Sequence, residues 1–308
     1  MILVVGLSPA WQRTLEFPRD IQTGEVNRAR RVTETASGKG VNVARIVRQL
    51  GGKSRLITVV GGVRGGILSR ALKKESLPSR IVRVAKETRP CQTLITPGVV
   101  TELVEETRRL TRREVAAVIV VFAAELSRAK FVILTGSVPT GCSTGFYARL
   151  ARASRRAGVP VLLDAQGAQL MNAAREKPFL IKVNRSELAA ATGRDRKSAT
   201  QLRAAARRFL ALGVKWVAIS RGPKSVTVFG KTEEWVVTPP VIAAMNPIGS
   251  GDAMMAGIAV ALGRGQPMIE AMRFGVACGA ANALTATSGD VRRADVMRLL
   301  RRVTVRQA

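Results

Sequence analysis

The chain has 308 residues, enough to bury a full core as one large α/β domain or two small ones, and its 46% hydrophobic content excludes a disordered chain. Histidine is absent, which removes Ser–His–Asp triads, Cys–His pairs and His-based zinc sites and leaves Asp, Glu, Lys, Tyr or Cys as any general base. The formal net charge of +29 points either to solvated helix faces or to an anionic partner.

Residues 2–7 (ILVVGL) read as a short apolar first strand rather than a signal peptide. Ser8-Pro9-Ala10-Trp11-Gln12 ends it, and residues 13–36 mix β-branched and charged residues as exposed strands. Ser37-Gly38-Lys39-Gly40-Val41-Asn42-Val43-Ala44 then precedes a helical run to Leu50. Glycines before a helix suit either a tight loop or close backbone approach to a ligand. Lys39 offers a positive charge there and Asn42 a two-sided hydrogen-bonding group.

Residues 55–62 predict a strand and turn, Leu68–Glu75 a helix, and residues 81–106 strands around a Pro97-Gly98 turn. From residue 111 the pattern is regular. Helices over Arg112–Ser127, Thr144–Ala157, Ala168–Arg175, Ser186–Thr192 and Thr200–Leu212 alternate with strands at Phe131–Thr135, ending at Asp164, at Phe179–Val183 and at Trp216–Ser220. A hairpin of Val226–Phe229 with Glu234–Val237 follows. Such alternation predicts a parallel sheet covered on both faces, with ligands at the carboxyl ends of its strands. Asp164, Asn184, Glu187, Ser220 and Gly222 all follow strand ends. Asn184 and Glu187 lie three apart at a helix start, where they suit either a capping box or Mg²⁺ held through water.

The stretch from Asn246 to Gly257 (NPIGSGDAMMAG) puts Gly249, Ser250 and Gly251 in a turn that opens an Ala- and Met-rich helix. Unpaired backbone N–H groups at that positive helix end make an anion site. A carboxylate there repels an anion, so Asp252 is either the helix N-cap or a base acting on whatever attacks the anion.

The arginine clusters (Arg28–Arg31, Arg108–Arg113, Arg149–Arg156, Arg203–Arg208, Arg292–Arg302) lie mostly on predicted helices, and aromatics at 4% are not interleaved with them. They read as solvated faces, with weak, sequence-independent nucleic-acid binding at low salt as the residual expectation. The longest apolar run, Val115–Ala124, is too short for a bilayer. Cys91, Cys142 and Cys278 are far apart without a CxxC, which suits the cytoplasm and no metal.

NPIGSGDAMMAG resembles the signature of the ribokinase-like sugar kinases, the phosphofructokinase B family, and SGKGVNVA is similar to the sugar-binding motif of its 1-phosphofructokinase and tagatose-6-phosphate kinase subgroup. The resemblance implies a single domain over residues 1–308: a three-layer α/β sandwich with a mainly parallel sheet and a discontinuous β lid at about 12–36 and 85–106, which pairs into a homodimer in relatives. It implies ATP-dependent phosphorylation of a sugar phosphate, most simply a ketohexose phosphate, with Mg²⁺ and room for a monovalent cation. A kinase of a free sugar or nucleoside is the alternative within the fold, and a basic nucleic-acid-binding protein the alternative outside it. Asp252 is then the base, and the N–H groups of Gly249, Ser250 and Gly251 meet the transferring phosphoryl group. Gln12, Gly38, Lys39, Gly40, Asn42 and Arg89 face the sugar, with Lys39 and Arg89 on its phosphate. Lys182, Asn184, Ser220, Gly222 and, on a helix along the adenine, Asn282 face the nucleotide, while Glu187 and Asn184 organise Mg²⁺ through water. Asp164 reads as structural or as supporting the site at one remove. Two departures bear on the identity of the sugar and not on the phosphate-transfer site: Gln12 stands where the subgroup has an aspartate, and Lys182-Val183-Asn184 replaces its KPN.

Overall fold

The computed structural model describes residues 1–192 and 198–308. In chain order its strands and helices are β1 (Ile2–Val5), β2 (Ala10–Glu16), β3 (Arg31–Ser37), α1 (Lys39–Gln49), β4 (Ser54–Val60), α2 (Gly62–Lys74), β5 (Ser79–Arg83), β6 (Arg89–Thr96), β7 (Val99–Val104) and α3 (Arg112–Leu126). Then come β8 (Phe131–Thr135), α4 (Phe146–Arg156), β9 (Val161–Asp164), α5 (Gly167–Ala174), β10 (Leu180–Asn184), α6 (Arg185–Thr192), α7 (Ala199–Ala211) and β11 (Trp216–Ser220). The chain closes with β12 (Val226–Phe229), β13 (Glu234–Thr238), α8 (Ser250–Gly263), α9 (Met268–Asn282), α10 (Arg293–Leu300) and β14 (Thr304–Gln307).

Ten strands form one sheet in the order β14-β13-β12-β11-β10-β9-β8-β1-β4-β5. From β11 to β5 every pairing is parallel, and β12, β13 and β14 add an antiparallel edge. The parallel strands are apolar on both faces because helices cover both. In β1, Ile2 and Val4 face one core, shared with α1, α8 and α9, while Leu3 and Val5 face a second, shared with α3, α4 and α5. β8 repeats this with Phe131 and Ile133 against Val132 and Leu134. Full burial of each such side chain stabilises the fold by about 1.5–3 kcal/mol relative to exposure. α8 is buried nearly all round, as its Ala- and Met-rich sequence requires. Among the described residues no helix is long and apolar enough to cross a membrane.

A separate four-stranded sheet, β3-β2-β6-β7, stands over the carboxyl ends of the parallel strands and is the counterpart of the expected lid. It is mixed: β2 pairs parallel to β6, and the other pairings are antiparallel. A single residue, Gly38, links β3 to α1. Its φ of 103° lies in the left-handed region, and a Cβ there would fall 2.7 Å from the Ser8 carbonyl oxygen.

Two elements differ from expectation. α2 starts at Gly62, six residues before the predicted Leu68, because its cap comes from far away: the Glu87 carboxylate accepts from the N–H groups of Val63 (3.2 Å) and Arg64 (2.7 Å). β14 was not expected at all; its four residues form a strand only by pairing with β13.

Candidate active site

Between the small sheet and the strand ends of the large one lies a concavity of about 640 Å³. Gln12, Gly38, Lys39, Gly40, Asn42, Arg89, Lys182, Asn184, Glu187, Gly249, Gly251 and Asp252 all line it, so residues from both predicted motifs meet in one place.

At its floor the turn before α8 is built from the sequence upward. Asn246 is fully buried; its side chain accepts from the Ile248 N–H at 3.0 Å and donates to the Ala286 carbonyl at 2.8 Å. This leads into Gly249, whose left-handed backbone (φ 86°) makes it the N-cap of α8. Asp252 is therefore in the first turn of the helix and not its N-cap, which corrects one of its two readings. The expected donor trio also changes. The Ser250 N–H bonds back to the Pro247 carbonyl (3.1 Å), whereas the N–H groups of Gly249, Gly251 and Asp252 have no acceptor among the described residues. Ser250 does not line the cleft, and its hydroxyl lies 3.4 Å from the Asn282 amide nitrogen.

Asp252 is 5% exposed, and its Oδ2 accepts a 2.9 Å hydrogen bond from Asn42 Nδ2. Burial, aided by the nearby Asp164 carboxylate, pushes its pKa up to about 6, against the pull of Lys39. Asn42 was expected on the sugar; the structure spends its amide on this carboxylate and on the Ser37 hydroxyl (3.3 Å).

Asp164 ends β9 with no exposed surface. Its Oδ2 is 2.9 Å from Lys182 Nζ and its Oδ1 3.3 Å from Lys39 Nζ. Burial opposes its ionisation, yet these two ammonium groups hold it below the usual carboxylate range. In return Asp164 raises the pKa of Lys39 against the cost of burial, with Glu187 and Asp252 adding to the effect. Lys39 Nζ is also 3.3 Å from Glu187 Oε1. The charge expected on the sugar's phosphate is thus directed in this structure toward β9 and α6. Lys182 Nζ lies 2.8 Å from where a Cβ on Gly251 would stand, which puts a cation against the open N–H groups. Tyr147, fully buried on α4, fixes the neighbouring strand end by donating to the carbonyls of Thr135 (2.8 Å) and Gly136 (3.1 Å).

Asn184 and Glu187 form the capping box in both directions: Glu187 N–H to Asn184 Oδ1 at 2.8 Å and Asn184 N–H to Glu187 Oε2 at 2.9 Å. Among the described residues no cluster of three or more His, Cys, Asp or Glu could hold a metal directly. The donor set fits Mg²⁺ held mainly by phosphate and water, with Glu187 acting at one remove.

On the lid side Gln12 is 3% exposed and donates to Thr93 Oγ1 at 2.8 Å. Arg89 donates to the carbonyls of Glu105 (2.7 Å) and Ser8 (3.3 Å), while its Nε is buried without a partner among the described residues. Three expected nucleotide contacts lie off the cleft lining. Ser220 pairs across from Asn184 in the β10/β11 register, and Gly222 follows in an exposed turn. Asn282 is fully buried beneath the turn, where its amide donates to the Ile248 carbonyl and accepts from the Gly289 N–H, both at 2.9 Å.

Open N–H groups, two lysines and a buried carboxylate of raised pKa facing one lidded cleft define a phosphoryl-transfer site of the sugar-kinase type. Residues 1–292 match the profile of the pfkB family carbohydrate kinases, and the chain belongs to that family as an ATP-dependent sugar kinase. Its structure is similar to a possible 1-phosphofructokinase of Thermotoga maritima, with a TM-score of 0.91 at 24% identity, covering 100% of this chain and 99% of that one. It is also similar to phosphofructokinase-2 of Escherichia coli in complex with substrates and products, with a TM-score of 0.88 at 25% identity over 98% of each chain. The tetrameric inhibited form of that enzyme matches at a TM-score of 0.85 and 25% identity, again over 98% of each chain.

Proposed function

We propose that the protein transfers the γ-phosphoryl group of ATP to a hydroxyl of a sugar that already carries a phosphate, with a ketohexose phosphate as the best fit. The observation that carries the reading is Asp252: a buried carboxylate held by Asn42 at 2.9 Å, beside N–H groups with no acceptor among the described residues. Asp252 takes the proton of the attacking hydroxyl. The N–H groups of Gly249, Gly251 and Asp252 receive the charge that develops on the transferring group. Lys182, close to Gly251, and Lys39, both anchored on Asp164, add positive charge beside those N–H groups. Glu187 and Asn184 would hold the water shell of a bound Mg²⁺, which would supply positive charge to the nucleotide phosphates. Ser220 and Gly222 sit beyond Asn184, where the nucleotide extends from the cleft. E. coli phosphofructokinase-2, a structural relative, has been solved with potassium, which makes a monovalent cation part of the same proposal.

Arg89 supports a phosphorylated substrate, because it lines the cleft and has an N–H to spare. A charge-assisted hydrogen bond to phosphate contributes about 1.5–3 kcal/mol, so Arg89→Ala is expected to cost about 10- to 150-fold in kcat/KM on the best sugar phosphate. The matching free sugar is expected to change little. The test is ADP release across fructose 1-phosphate, fructose 6-phosphate, tagatose 6-phosphate and the free hexoses, with wild type and variant. Equal losses on phosphorylated and free partners would make Arg89 a lid anchor and remove the case for a sugar phosphate. Gln12, neutral where relatives carry a carboxylate, is expected to leave the fructose and tagatose epimers poorly separated.

A further inference from the structure

A second concavity, of about 610 Å³, lies between α4 and the end of α5 and shares no lining residue with the active-site cleft. Arg149, Arg152 and Arg156 of α4 and Arg175 at the end of α5 line it, with Asn172 and Glu176. The opposite face of α4 carries Phe146, Tyr147, Leu150 and Ala151 into the core, which fixes the arginine face toward the groove. Glu176 is the one carboxylate in the lining, and it is already committed: Arg152 reaches it at 2.6 Å and Arg155 at 3.2 Å. Those contacts hold the Glu176 carboxyl below its usual range. Arg149, Arg156 and Arg175 make no ion pair or side-chain hydrogen bond among the described residues. Arg203, Arg273 and Arg298 on other helices are answered by Glu234, Glu270 and Asp295, whereas Arg48, Arg70, Arg112, Arg113, Arg207 and Arg208 have no ion pair among the described residues; what sets Arg149, Arg156 and Arg175 apart is that they line one concavity. Like charges three and four residues apart on a helix destabilise it, and among the described residues Glu176 relieves that repulsion at Arg152 and Arg155 but not at Arg149 and Arg156.

We propose that this groove is a second anion site, taking a small molecule with two or more phosphate groups. Each guanidinium presents a fork that binds two oxygens, and three uncommitted positive charges exceed the roughly −2 that one phosphate carries at neutral pH. The groove follows α4 from Gly145 to Arg156, about 16 Å at 1.5 Å per residue, a span for a small molecule rather than a nucleic-acid track. Aromatics, at 4% of the chain, provide no stacking surface in the lining. A nucleotide, a bisphosphorylated sugar and inorganic pyrophosphate share this chemistry.

The experiment is calorimetric titration of wild type and of the double variant Arg149→Gln/Arg175→Gln with pyrophosphate, ATP and fructose 1,6-bisphosphate at low salt, and in parallel with a short DNA duplex. Wild type is expected to show a site beyond the cleft for at least one of the three small ligands. The double variant is expected to weaken that site by about tenfold or more per arginine while leaving turnover without added effector unchanged. Arg156→Gln provides a second variant on the same face. The arm that binds tightest identifies the source of the phosphates. One binding event in wild type, a second event unmoved by the substitutions, or duplex binding that exceeds all three small ligands and vanishes with the same arginines overturns the proposal.

Discussion

Asp252 carries opposite signs for catalysis and for stability. Its carboxylate form does the chemistry, so kcat/KM is expected to rise with pH through about 6 and then level off. For stability the sign reverses. A carboxyl raised from 3.8 to about 6 binds its proton more tightly in the folded chain, so its stabilising contribution is fully present below 3.8 and is lost as pH rises through 6. At 1.36 kcal/mol per pH unit, the ionised form costs the fold on the order of 3 kcal/mol at neutral pH. Asp252→Asn is therefore expected to cut kcat by about 10²–10⁴ and to raise Tm above wild type at pH 7 to 8. Steady-state kinetics and a melting curve on one preparation check both; a variant with wild-type turnover, or one that melts lower, contradicts the assignment. The sequence showed that Asp252 adjoined an anion-binding turn. It did not show which reading held, because the cap is decided by the backbone of Gly249. Nor could spacing reveal that Asn42, 210 positions away, grips the same carboxylate.

Among the elements, β8 and β11 matched their predicted bounds because short β-branched runs flanked by turns have few alternatives. The start of α2 and the whole of β14 were illegible, since one depends on Glu87 and the other on a partner strand. The start of α6 was legible in two ways, and its capping box is formed in both directions. Glu187→Gln is thus a clean probe: the amide oxygen can still cap Asn184, while the charge is gone. Tm is expected to hold, and the Mg²⁺ concentration for half-maximal activity to rise by about 10- to 100-fold. A magnesium titration with no shift would leave Glu187 as a cap and a partner of Lys39 alone. The lysines were seen in the sequence, but their shared anchor was not. Asp164 looked structural because nothing beside it in the chain announces two ammonium groups, 125 and 18 residues away.

At the scale of the molecule, the family and the layered sheet were legible because two motifs and a regular strand–helix alternation agree. The meaning of the +29 charge was not, because charge per residue says nothing about curvature or neighbours. In the structure much of it is spread over separate helices, so binding to an arbitrary DNA duplex is expected to be weak. By counterion release it should collapse between about 50 and 200 mM salt, as measured by fluorescence anisotropy. Salt-resistant binding to one sequence would contradict this. The joint at Gly38 has a meaning for the site as well as a steric one. The peptide that begins α1 also joins it to the small sheet, and the next side chain along is Lys39, paired with Asp164 and Glu187. On the proposed reading, the sugar-facing sheet and the cation beside the phosphate site are therefore coupled through that joint.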